Sequence, residues 1–399
     1  MIDLARKLSI EDLNVAGKRV LVRVDFNVPL DDAGNVTDDT RIREALPTIK
    51  YLVEHRARVI LVSHCGRPKG KPSPKYSMAP AAKKLASLIG APVALAADVV
   101  GPDAKSKAQE LKDGEIMMLE NARFHAEEEA NDEKFSRELA SLGELYVNDA
   151  FGTAHRAHAS TAGVTKFMKK CAAGFLMMKE IKYLGMALEK PERPFTAILG
   201  GAKVSSKIAV INRLAEKVDN ILIGGGMAYT FLRAMNMSVG DSLVEEDRIK
   251  DAKEILKMLI DRNVKWLLPF DHVVTEKVAP DAVPKIVTRE GMPDGHKAVD
   301  IGPSTIEMFG NVLAKSKTIV WNGPMGIFET IQFANGTYSI ALLVGAAQAT
   351  TIVGGGDSVA AINNLGIADK FTHISTGGGA SLEFLEGVDL PGIAALSDK

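Results

Sequence analysis

Short apolar runs rich in β-branched residues alternate along the first half of the chain with longer segments of helical period. The runs predict strands at residues 18–24, 58–63, 92–96, 115–119 and 144–148. The intervening segments predict helices at residues 41–55, 78–89, 103–112 and 132–142. Near-continuous apolar strands separated by helices are typical of a parallel sheet covered on both faces, because each crossover must run back over the sheet. The first half therefore predicts one α/β domain.

The same alternation restarts after a break that contains two prolines. A helical stretch over residues 175–190 ends at Pro191 and Pro194, since proline removes a helix donor and restricts the residue before it. Further strands are predicted at residues 195–199, 220–223, 265–269, 318–321, 350–353 and 372–375. We therefore expect two doubly wound, Rossmann-like α/β domains with parallel sheets, at residues 1–174 and 195–386. The helical connector between them, at residues 175–194, is the expected hinge.

Composition and charge exclude several classes of protein. The chain has 399 residues, of which 46% are hydrophobic and 25% are charged, and its net charge is −1. A near-neutral molecule lacks the broad basic field that would hold nucleic acid or an anionic membrane. The start has no signal-peptide pattern and no apolar run approaches a membrane span, so we expect a cytoplasmic protein. Cys65 and Cys171 lie too far apart for a CxxC site, and two cysteines make no disulfide framework.

Ligands of open parallel sheets bind beyond the carboxyl ends of the strands, and the residues at these positions differ between the two halves. In the first half they are polar and include several arginines: Arg23, Asp25, Asn27, His64, Arg67, Arg123, His155, Arg156 and His158, with Arg41 at the start of the first crossover helix. Guanidinium groups gathered at one sheet edge suit bidentate capture of phosphate or carboxylate. This pattern predicts a small, multiply anionic substrate. The alternative is that each arginine pairs with a nearby carboxylate or lies in solvent.

In the second half the strand ends are glycine-rich. They carry Gly200 and Gly201, three triplets at 224–226, 354–356 and 377–379, and Gly323. Glycines between a strand and a helix let backbone N–H groups approach a phosphate at the positive end of the helix dipole. Several such loops on one edge predict a nucleotide site. No triplet continues as GxGxxG, because Tyr229, Val359 and Leu382 occupy the last position, and the chain has no GxxxxGK[ST] sequence.

Charged residues among these glycines favour phosphate chemistry over dinucleotide binding. Lys203 and Lys207 are four residues apart, a spacing that predicts both ammonium groups on one face of a helix start, where cations are unfavourable unless a polyphosphate binds. The alternative is that both lysines lie in solvent. Asp357, directly after its triplet, can hold Mg²⁺ together with phosphate oxygens, or can simply cap a helix.

Seven ordered motifs resemble the phosphoglycerate kinase family along essentially the whole chain. They lie at residues 24–29, 63–68, 120–124, 148–158, 200–204, 320–324 and 354–357. The chain departs from the usual family pattern at Cys65 and Ser206. Cys65, beside His64 and Arg67, is either a thiol of lowered pKa or a packing replacement.

The resemblance implies an activity and the residues that carry it. It implies reversible phosphoryl transfer between 1,3-bisphosphoglycerate and ADP, with Mg²⁺ as cofactor, a monomeric enzyme, and a tail at 387–399 that returns to the first domain. Residues implied in phosphoglycerate binding are Asp25, Asn27, Arg41, His64, Arg67, Arg123 and Arg156. Residues implied in nucleotide binding are Gly201, Ala202, Lys203, Lys207, Gly225, Asn322, Pro324, Glu329, Gly354, Gly355, Gly356, Asp357 and Ser358, with Asp357 as the metal ligand.

Catalysis would rest on alignment and on neutralising charge, because the carboxylate nucleophile of the reverse reaction is already ionised and needs no general base. Arg41 and Lys203 are assigned to transition-state charge, assisted by backbone N–H groups at Gly356 and Gly379. For Asp25 and Asn27 the alternative is a turn-forming role, and for Glu329 it is a solvated acid. Two rival functions also fit two α/β halves with glycine-rich loops or anion-binding groups: a nicotinamide-dependent oxidoreductase, and a two-lobed protein that binds an anionic metabolite.

Overall fold

The computed structural model describes residues 6–399. Its contacts divide the chain into two compact units. Unit 1 comprises Met1–Lys182 and Asp389–Lys399, and unit 2 comprises Tyr183–Val388. The boundary between Lys182 and Tyr183 falls within the segment that the sequence predicts as a connector.

The strands, in chain order, are short. They are β1 Arg19–Arg23, β2 Arg58–Val62, β3 Val93–Leu95, β4 Ile116–Met118, β5 Leu145–Asn148, β6 Cys171–Ala173, β7 Phe195–Leu199, β8 Asn220–Ile223, β9 Lys265–Leu267, β10 Asp271–Thr275, β11 Lys285–Thr288, β12 Lys297–Ile301, β13 Thr318–Asn322, β14 Thr350–Gly354 and β15 His373–Ile374.

The α-helices alternate with these strands. They are α1 Thr40–Glu54, α2 Ala79–Ile89, α3 Pro102–Glu110, α4 Ala126–Glu129, α5 Glu133–Ala140, α6 Phe175–Glu189, α7 Ile208–Leu214, α8 Met227–Ala234, α9 Ile249–Asp261, α10 Pro303–Leu313, α11 Asn335–Ala346, α12 Gly356–Leu365, α13 Gly379–Leu385 and α14 Pro391–Ala394. Within residues 6–399, none of the helices combines the length and apolar character that crossing a membrane requires.

Each unit is built on a six-stranded parallel sheet. Sheet 1, in unit 1, has the order β3-β4-β2-β1-β5-β6, and sheet 2, in unit 2, has the order β15-β14-β13-β7-β8-β9. The chain reverses its direction of travel across sheet 1 between β1 and β5, and across sheet 2 between β7 and β13. Ligands of doubly wound sheets bind at such switch points. The fold therefore directs attention to the residues that follow these four strands.

The core of unit 1 forms where sheet 1 meets its first crossover helices. Val20 and Val22 of β1 are fully buried in one cluster with Ile42, Ile49 and Leu52 of α1. These helix residues recur at roughly helical spacing, which places one face of α1 against the sheet. The packing fixes α1 relative to β1, and with it Arg41 in the first turn of α1.

The prediction of two parallel α/β sheets is confirmed, and all eleven predicted strands are present. The sequence pattern did not predict β6 or a separate antiparallel sheet of order β11-β10-β12. Strand β6 contains one cysteine and two alanines, and alanine has a low strand preference. Strand β11 is largely exposed, so it lacks the apolar run by which the buried parallel strands were recognised.

The C-terminal segment packs within unit 1. Lys7 Nζ donates to Leu396 O at 2.8 Å, and Asn148 Nδ2 at the end of β5 donates to Gly392 O at 3.2 Å. The Gly392 N–H in turn donates to Ala154 O at 2.8 Å. These contacts tie helix α14 to the segment that follows β5.

Candidate active site

An ion pair links the end of β1 to the start of α1. Arg41 Nη1 donates to Asp25 Oδ2 at 2.5 Å, and both side chains retain some exposure. Burial acts to raise the pKa of Asp25, but the electrostatic interaction with His64 and the charges of Arg41 and Arg23 hold it below its ordinary value. Asp25 is therefore an ionised carboxylate within a cationic surrounding.

His64, which follows β2, is buried and neutral. Burial lowers its pKa well below the ordinary value, and Arg23, Arg123 and Arg41 lower it further. Arg23 Nη2 lies 3.2 Å from His64 Nδ1, and a guanidinium group can only donate. His64 Nδ1 must therefore accept, which leaves the proton on Nε2. The ring is a neutral hydrogen-bond donor rather than a cation.

Arg123 is held in place by the loop after β2. Its Nη1 donates to Gly66 O at 2.9 Å, and its Nε pairs with Glu129 at 3.1 Å. The Gly66 N–H donates to Asn27 Oδ1 at 2.8 Å, so the Asn27 side chain orders the same loop. Asn27 and Arg123 thus meet through Gly66, although one is near β1 and the other lies in the 3₁₀ turn Ala122–Phe124.

Arg156 and Arg67 differ in their surroundings. Arg156 lies near enough to Arg123 to lower the pKa of that guanidinium, which burial lowers first. Its Nε also contacts His155 Nε2 at 3.1 Å. Arg67 is exposed in the loop after β2. The structure therefore gathers Arg41, His64 and Arg123 closely, places Arg156 beside them, and leaves Arg67 in solvent.

Arg23 belongs to this cluster; the sequence places it at the strand end, but it is not among the residues that the family resemblance implies in substrate binding. It is the last residue of β1 and only 1% exposed. Its Nε donates to Ser160 Oγ at 2.8 Å, and Ser160 Oγ donates to the buried Glu128 at 2.6 Å. A signal was present in the sequence, because a charged residue inside an apolar strand must find partners when it is buried.

Cys65 is a packing residue. Its side chain is 7% exposed and belongs to the apolar core of unit 1. Burial raises the pKa of its thiol, and Glu120 raises it further. The alternative of a thiol with a lowered pKa is wrong, because burial and the Glu120 carboxylate both act in the opposite direction on its pKa.

In unit 2 the glycine loops after β7, β8 and β13 pack backbone against backbone. The Gly201 N–H donates to Pro324 O and the Gly225 N–H donates to Met325 O, both at 3.0 Å. Gly225 has φ +67°, and a Cβ there would lie 2.6 Å from the Gly201 backbone. Only glycine fits such an approach. Three strand ends are thereby joined into one surface of main-chain atoms.

Lys207 is buried beside this surface. Its side chain is 7% exposed, and its Nζ donates to Asn322 Oδ1 at the end of β13. Burial lowers the pKa of Lys207 to about 8, against the opposing effects of Glu386 and Asp357. Asn322 Nδ2 is buried and has no hydrogen-bond partner among residues 6–399. A Cβ at Gly355 would lie 3.1 Å from this nitrogen, so the free donor adjoins the loop after β14.

The expectation that Lys203 and Lys207 share a face of a helix start is wrong. Helix α7 begins at Ile208, so both lysines precede it. The Lys207 N–H donates to Val204 O at 2.8 Å in a turn, while the Lys203 side chain is exposed. Lys203 and Lys207 are therefore separated by a turn rather than by one turn of helix, and only Lys207 is buried.

The remaining predicted nucleotide residues lie around the same strand ends. Asp357 is exposed in the first turn of α12, while Ser358 is buried and accepts from the Gly323 N–H at 2.8 Å. Gly379 begins α13, and Glu329 is exposed after β13. Across residues 6–399, no three His, Cys, Asp or Glu side chains come together as a metal cluster.

Comparisons with known proteins agree with this geometry. A family model for phosphoglycerate kinase matches residues 10–388. The phosphoglycerate kinase of Clostridium botulinum strain Hall is 55% identical over 395 residues, which cover 98% of this chain and 99% of the relative. That of Koribacter versatilis strain Ellin345 is 57% identical over 401 residues, covering 98% of this chain and all of the relative. The solved phosphoglycerate kinase of Coxiella burnetii, 39% identical, has a TM-score of 0.89 over 98% of both chains.

Fold and similarity together define the class of protein, a phosphotransferase whose acceptor is a carboxyl group. The chain belongs to the phosphoglycerate kinase family. It transfers a phosphoryl group reversibly between 1,3-bisphosphoglycerate and ADP, which gives 3-phosphoglycerate and ATP in the glycolytic direction. The resemblance inferred from the seven motifs is confirmed. The oxidoreductase and the metabolite-binding protein are thereby excluded.

Proposed function

We propose that the two substrates bind to different units. The carboxyl end of sheet 1 binds 3-phosphoglycerate or 1,3-bisphosphoglycerate, and the carboxyl end of sheet 2 binds ADP or ATP. The observation that carries this proposal is the different chemistry of the two edges. Unit 1 offers guanidinium groups around a neutral histidine, whereas unit 2 offers backbone N–H groups beside a buried lysine.

In unit 1, Arg123, Arg156 and the exposed Arg67 bind the anionic groups of the three-carbon substrate. Bidentate guanidinium contacts suit both phosphate and carboxylate oxygens. His64 donates through Nε2–H to a substrate oxygen, and the Asp25 carboxylate accepts from a substrate hydroxyl. Asn27 orders the loop that carries Gly66, so its contribution is to position Arg123 as well as to contact the ligand.

In unit 2, nucleotide phosphates bind over the loops at Gly201, Ala202, Gly225 and 354–358, with Lys207 and Asn322 beneath them. The free Asn322 Nδ2 supplies one donor, and the start of α12 supplies backbone N–H groups at its positive end. Pro324 and Glu329 line the nucleoside side, where the exposed carboxylate of Glu329 accepts from ribose hydroxyls. A bound polyphosphate would relieve the cost of burying the Lys207 cation.

The residues present suit a magnesium ion that arrives with the nucleotide. Mg²⁺ is usually held by one or two carboxylates and by phosphate oxygens, and Asp357 is an exposed carboxylate next to the 354–356 glycines. Asp357 would hold the ion. When bound, the ion offsets the negative charge of the nucleotide phosphates.

The chemical step breaks the bond between phosphorus and the acyl oxygen and forms one to a terminal oxygen of ADP. The electron pair of the broken bond leaves with the carboxylate of 3-phosphoglycerate, and both oxygens are ionised, so no side chain moves a proton. Arg41 and the exposed Lys203 neutralise charge on the phosphoryl group in transit. Backbone N–H groups at Gly356 and Gly379 assist them.

Transfer also requires the two bound substrates to meet. The segment 175–194 is the proposed hinge for that movement, and water would be kept from the acyl phosphate while the units are closed. We further propose that the enzyme acts as a monomer in the cytoplasm, in keeping with the family resemblance and with its place in glycolysis.

Amide hydrogen exchange with one substrate at a time tests this assignment. We expect 3-phosphoglycerate to protect the segments after β1, β2 and β5, and MgADP to protect the segments after β7, β13 and β14. Each ligand should leave the other unit's strand ends unchanged. Protection of the same unit by both ligands would contradict the assignment.

A further inference from the structure

Strand β12 carries a buried aspartate that the reaction described above does not use. Asp300 is only 2% exposed and lies in the antiparallel sheet β11-β10-β12. Its Oδ2 accepts from the Gly336 N–H at 2.6 Å, and its Oδ1 accepts from the Ile301 N–H at 2.9 Å. Gly336 is in the first turn of α11, so the Asp300 carboxylate fastens the start of that helix to β12.

The loop after β13 packs closely against the Asp300 carboxylate at Gly326. A Cβ at Gly326 would collide with Asp300 Oδ1 and would lie 2.6 Å from Val299 O. The Ile327 N–H donates to Val299 O at 2.8 Å. The loop therefore packs against β12 at Val299 and Asp300. At position 326 only glycine leaves room for the Asp300 carboxylate.

Thr337, next to Gly336, holds the preceding part of this loop. The Thr337 side chain is fully buried, and its Oγ1 accepts from the Met325 N–H at 3.0 Å and the Gly326 N–H at 3.3 Å. Asp300 and Thr337 thus both contact the loop at Gly326, and Thr337 also holds Met325. Fixing the start of α11 fixes Thr337, and with it the loop.

This loop supports two of the glycine turns that form the proposed nucleotide surface. Pro324 O and Met325 O accept from the Gly201 and Gly225 N–H groups at 3.0 Å. Further along, Phe328 packs in a small apolar cluster with Ala361 of α12, the helix that begins at the glycines after β14. The loop is therefore connected to three of the strand ends at which nucleotide is proposed to bind.

We propose that Asp300 is a positioning residue for the nucleotide site. It sets the loop 323–329 from behind, through Gly336, Thr337 and Gly326, without touching the nucleotide. The inference rests on the assignment of nucleotide to unit 2 made above. It adds a residue to which that assignment gives no role.

The electrostatic position of Asp300 favours a functional explanation. Burial raises its pKa to about 7, against the stabilising N–H groups of Gly336 and Ile301. Tyr229 on α8 lies nearby: burial raises the pKa of Tyr229, and the Asp300 carboxylate raises it further. Tyr229 therefore offers Asp300 no positive charge. A buried carboxyl group whose charge is opposed by its surroundings lowers stability, and such groups are concentrated at functional sites.

The test is Asp300→Asn, compared with Asp271→Asn as a matched control. An asparagine at 300 turns an NH₂ group toward one of the two N–H donors, so one of them loses its acceptor. We expect the KM for ADP and for ATP to rise about tenfold. The KM for 3-phosphoglycerate should stay within about twofold, and kcat should fall less than the nucleotide KM rises.

Asp271 gives the control because it makes the same kind of contact elsewhere. It is a buried aspartate on β10 of the same sheet, and it accepts from the Ser304 and Thr305 N–H groups at the start of α10 at 2.9 and 2.8 Å. Asp271→Asn should lower thermal stability and leave the nucleotide KM unchanged. An equal rise of the nucleotide KM in both variants would overturn the proposal, because it would mark a general loss of stability.

Two further variants separate the possible failures. Thr337→Val removes the other fastening of the loop with little change of volume, and it should raise the nucleotide KM selectively even where Asp300→Asn does not fold. Lys207→Met reports on the nucleotide site itself. If Lys207→Met raises the nucleotide KM and both Asp300→Asn and Thr337→Val leave it unchanged, the positioning role of Asp300 is refuted and the nucleotide site in unit 2 is supported. If none of the three variants changes the nucleotide KM, both the positioning role and the nucleotide site are refuted.

Discussion

At the scale of single residues, the cationic edge of unit 1 depends on one neutral ring. Arg23 donates to His64 Nδ1, and three arginines together with burial keep His64 uncharged. A neutral His64 adds a directed donor without adding repulsion between the surrounding guanidinium groups. In unit 2 the corresponding contrast is between Lys207, which is buried and fixed, and Lys203, which is exposed.

Replacing Arg41 tests its assignment to the transition state. We expect Arg41→Ala to lower kcat by about 10²- to 10³-fold, as loss of one preorganised charge donor does in other enzymes, with a smaller effect on the KM for 3-phosphoglycerate. Steady-state kinetics would measure it. Arg43→Ala is the control, because Arg43 lies on the same helix turn but is mostly exposed and paired with Asp39 at 2.7 Å. Near-normal turnover of Arg41→Ala would remove Arg41 from this role.

The two lysines should separate in their kinetic effects. Lys203→Ala is expected to lower kcat far more than it raises the nucleotide KM, because an exposed flexible ammonium can follow the phosphoryl group in transit. Lys207→Met should mainly raise the nucleotide KM. It should also raise the free energy of unfolding without ligand by about 1–3 kcal/mol, since the pKa of Lys207 is lowered by burial of its charge. If Lys203→Ala mainly raised the nucleotide KM and Lys207→Met mainly lowered kcat, the roles assigned to the two lysines would be reversed.

At the scale of elements, the glycine loops of sheet 2 serve two purposes that the sequence does not distinguish. Gly225 is required by the backbone itself, because it has φ +67° and meets the Gly201 backbone. Gly356, at the start of α12, has an ordinary φ and no atom within 4 Å of the place of a Cβ. One glycine is needed for folding, and the other leaves space above the loop.

Alanine at each of these glycines should separate stability from ligand binding. Gly225→Ala is expected to lower the free energy of unfolding of unit 2 by at least about 2 kcal/mol, through strain at positive φ and overpacking. Gly356→Ala should leave thermal unfolding almost unchanged and raise the nucleotide KM, because its methyl group would occupy phosphate space. Thermal unfolding and nucleotide titration would measure both. An unchanged nucleotide KM in Gly356→Ala would contradict the phosphate assignment.

At the scale of the whole molecule, the proposed division of substrates between the units requires a movement that brings the two bound substrates together. The helix α6 spans the boundary between the units, and Asp389–Lys399 belongs to unit 1 although it follows unit 2 in sequence. The chain therefore passes between the units twice. Both passages must accommodate any movement that brings the substrates together.

Small-angle scattering tests the proposed movement. We expect the radius of gyration to decrease when 3-phosphoglycerate and a magnesium nucleotide are bound together, and to change little with either one alone, because contacts that favour closure need both ligands. The isolated effect of each ligand is the control. A complex with both ligands that scatters like the free enzyme would contradict the hinge proposal.

The sequence by itself determined the features that depend on local pattern. Apolar runs between helices gave two parallel sheets, because buried strands need continuous hydrophobic residues, and polar or glycine-rich strand ends marked where ligands bind. The ordered motifs were enough to recognise the family. Strand β11 is largely exposed, and β10 and β12 carry polar residues among their apolar ones, so none of the three shows the continuous apolar run that marked the parallel strands.

Only the tertiary structure decided what each candidate side chain does. The hydrogen bond that sets the tautomer of His64 comes from Arg23, 41 residues away, and the buried Lys207 ammonium group finds its acceptor in Asn322, 115 residues away. Asp300 gained its proposed role from contacts with Gly326 and Gly336, which no spacing along the chain reveals. Protonation, burial and free hydrogen-bond donors arise from neighbours that folding brings together, and for that reason they cannot be obtained from local sequence.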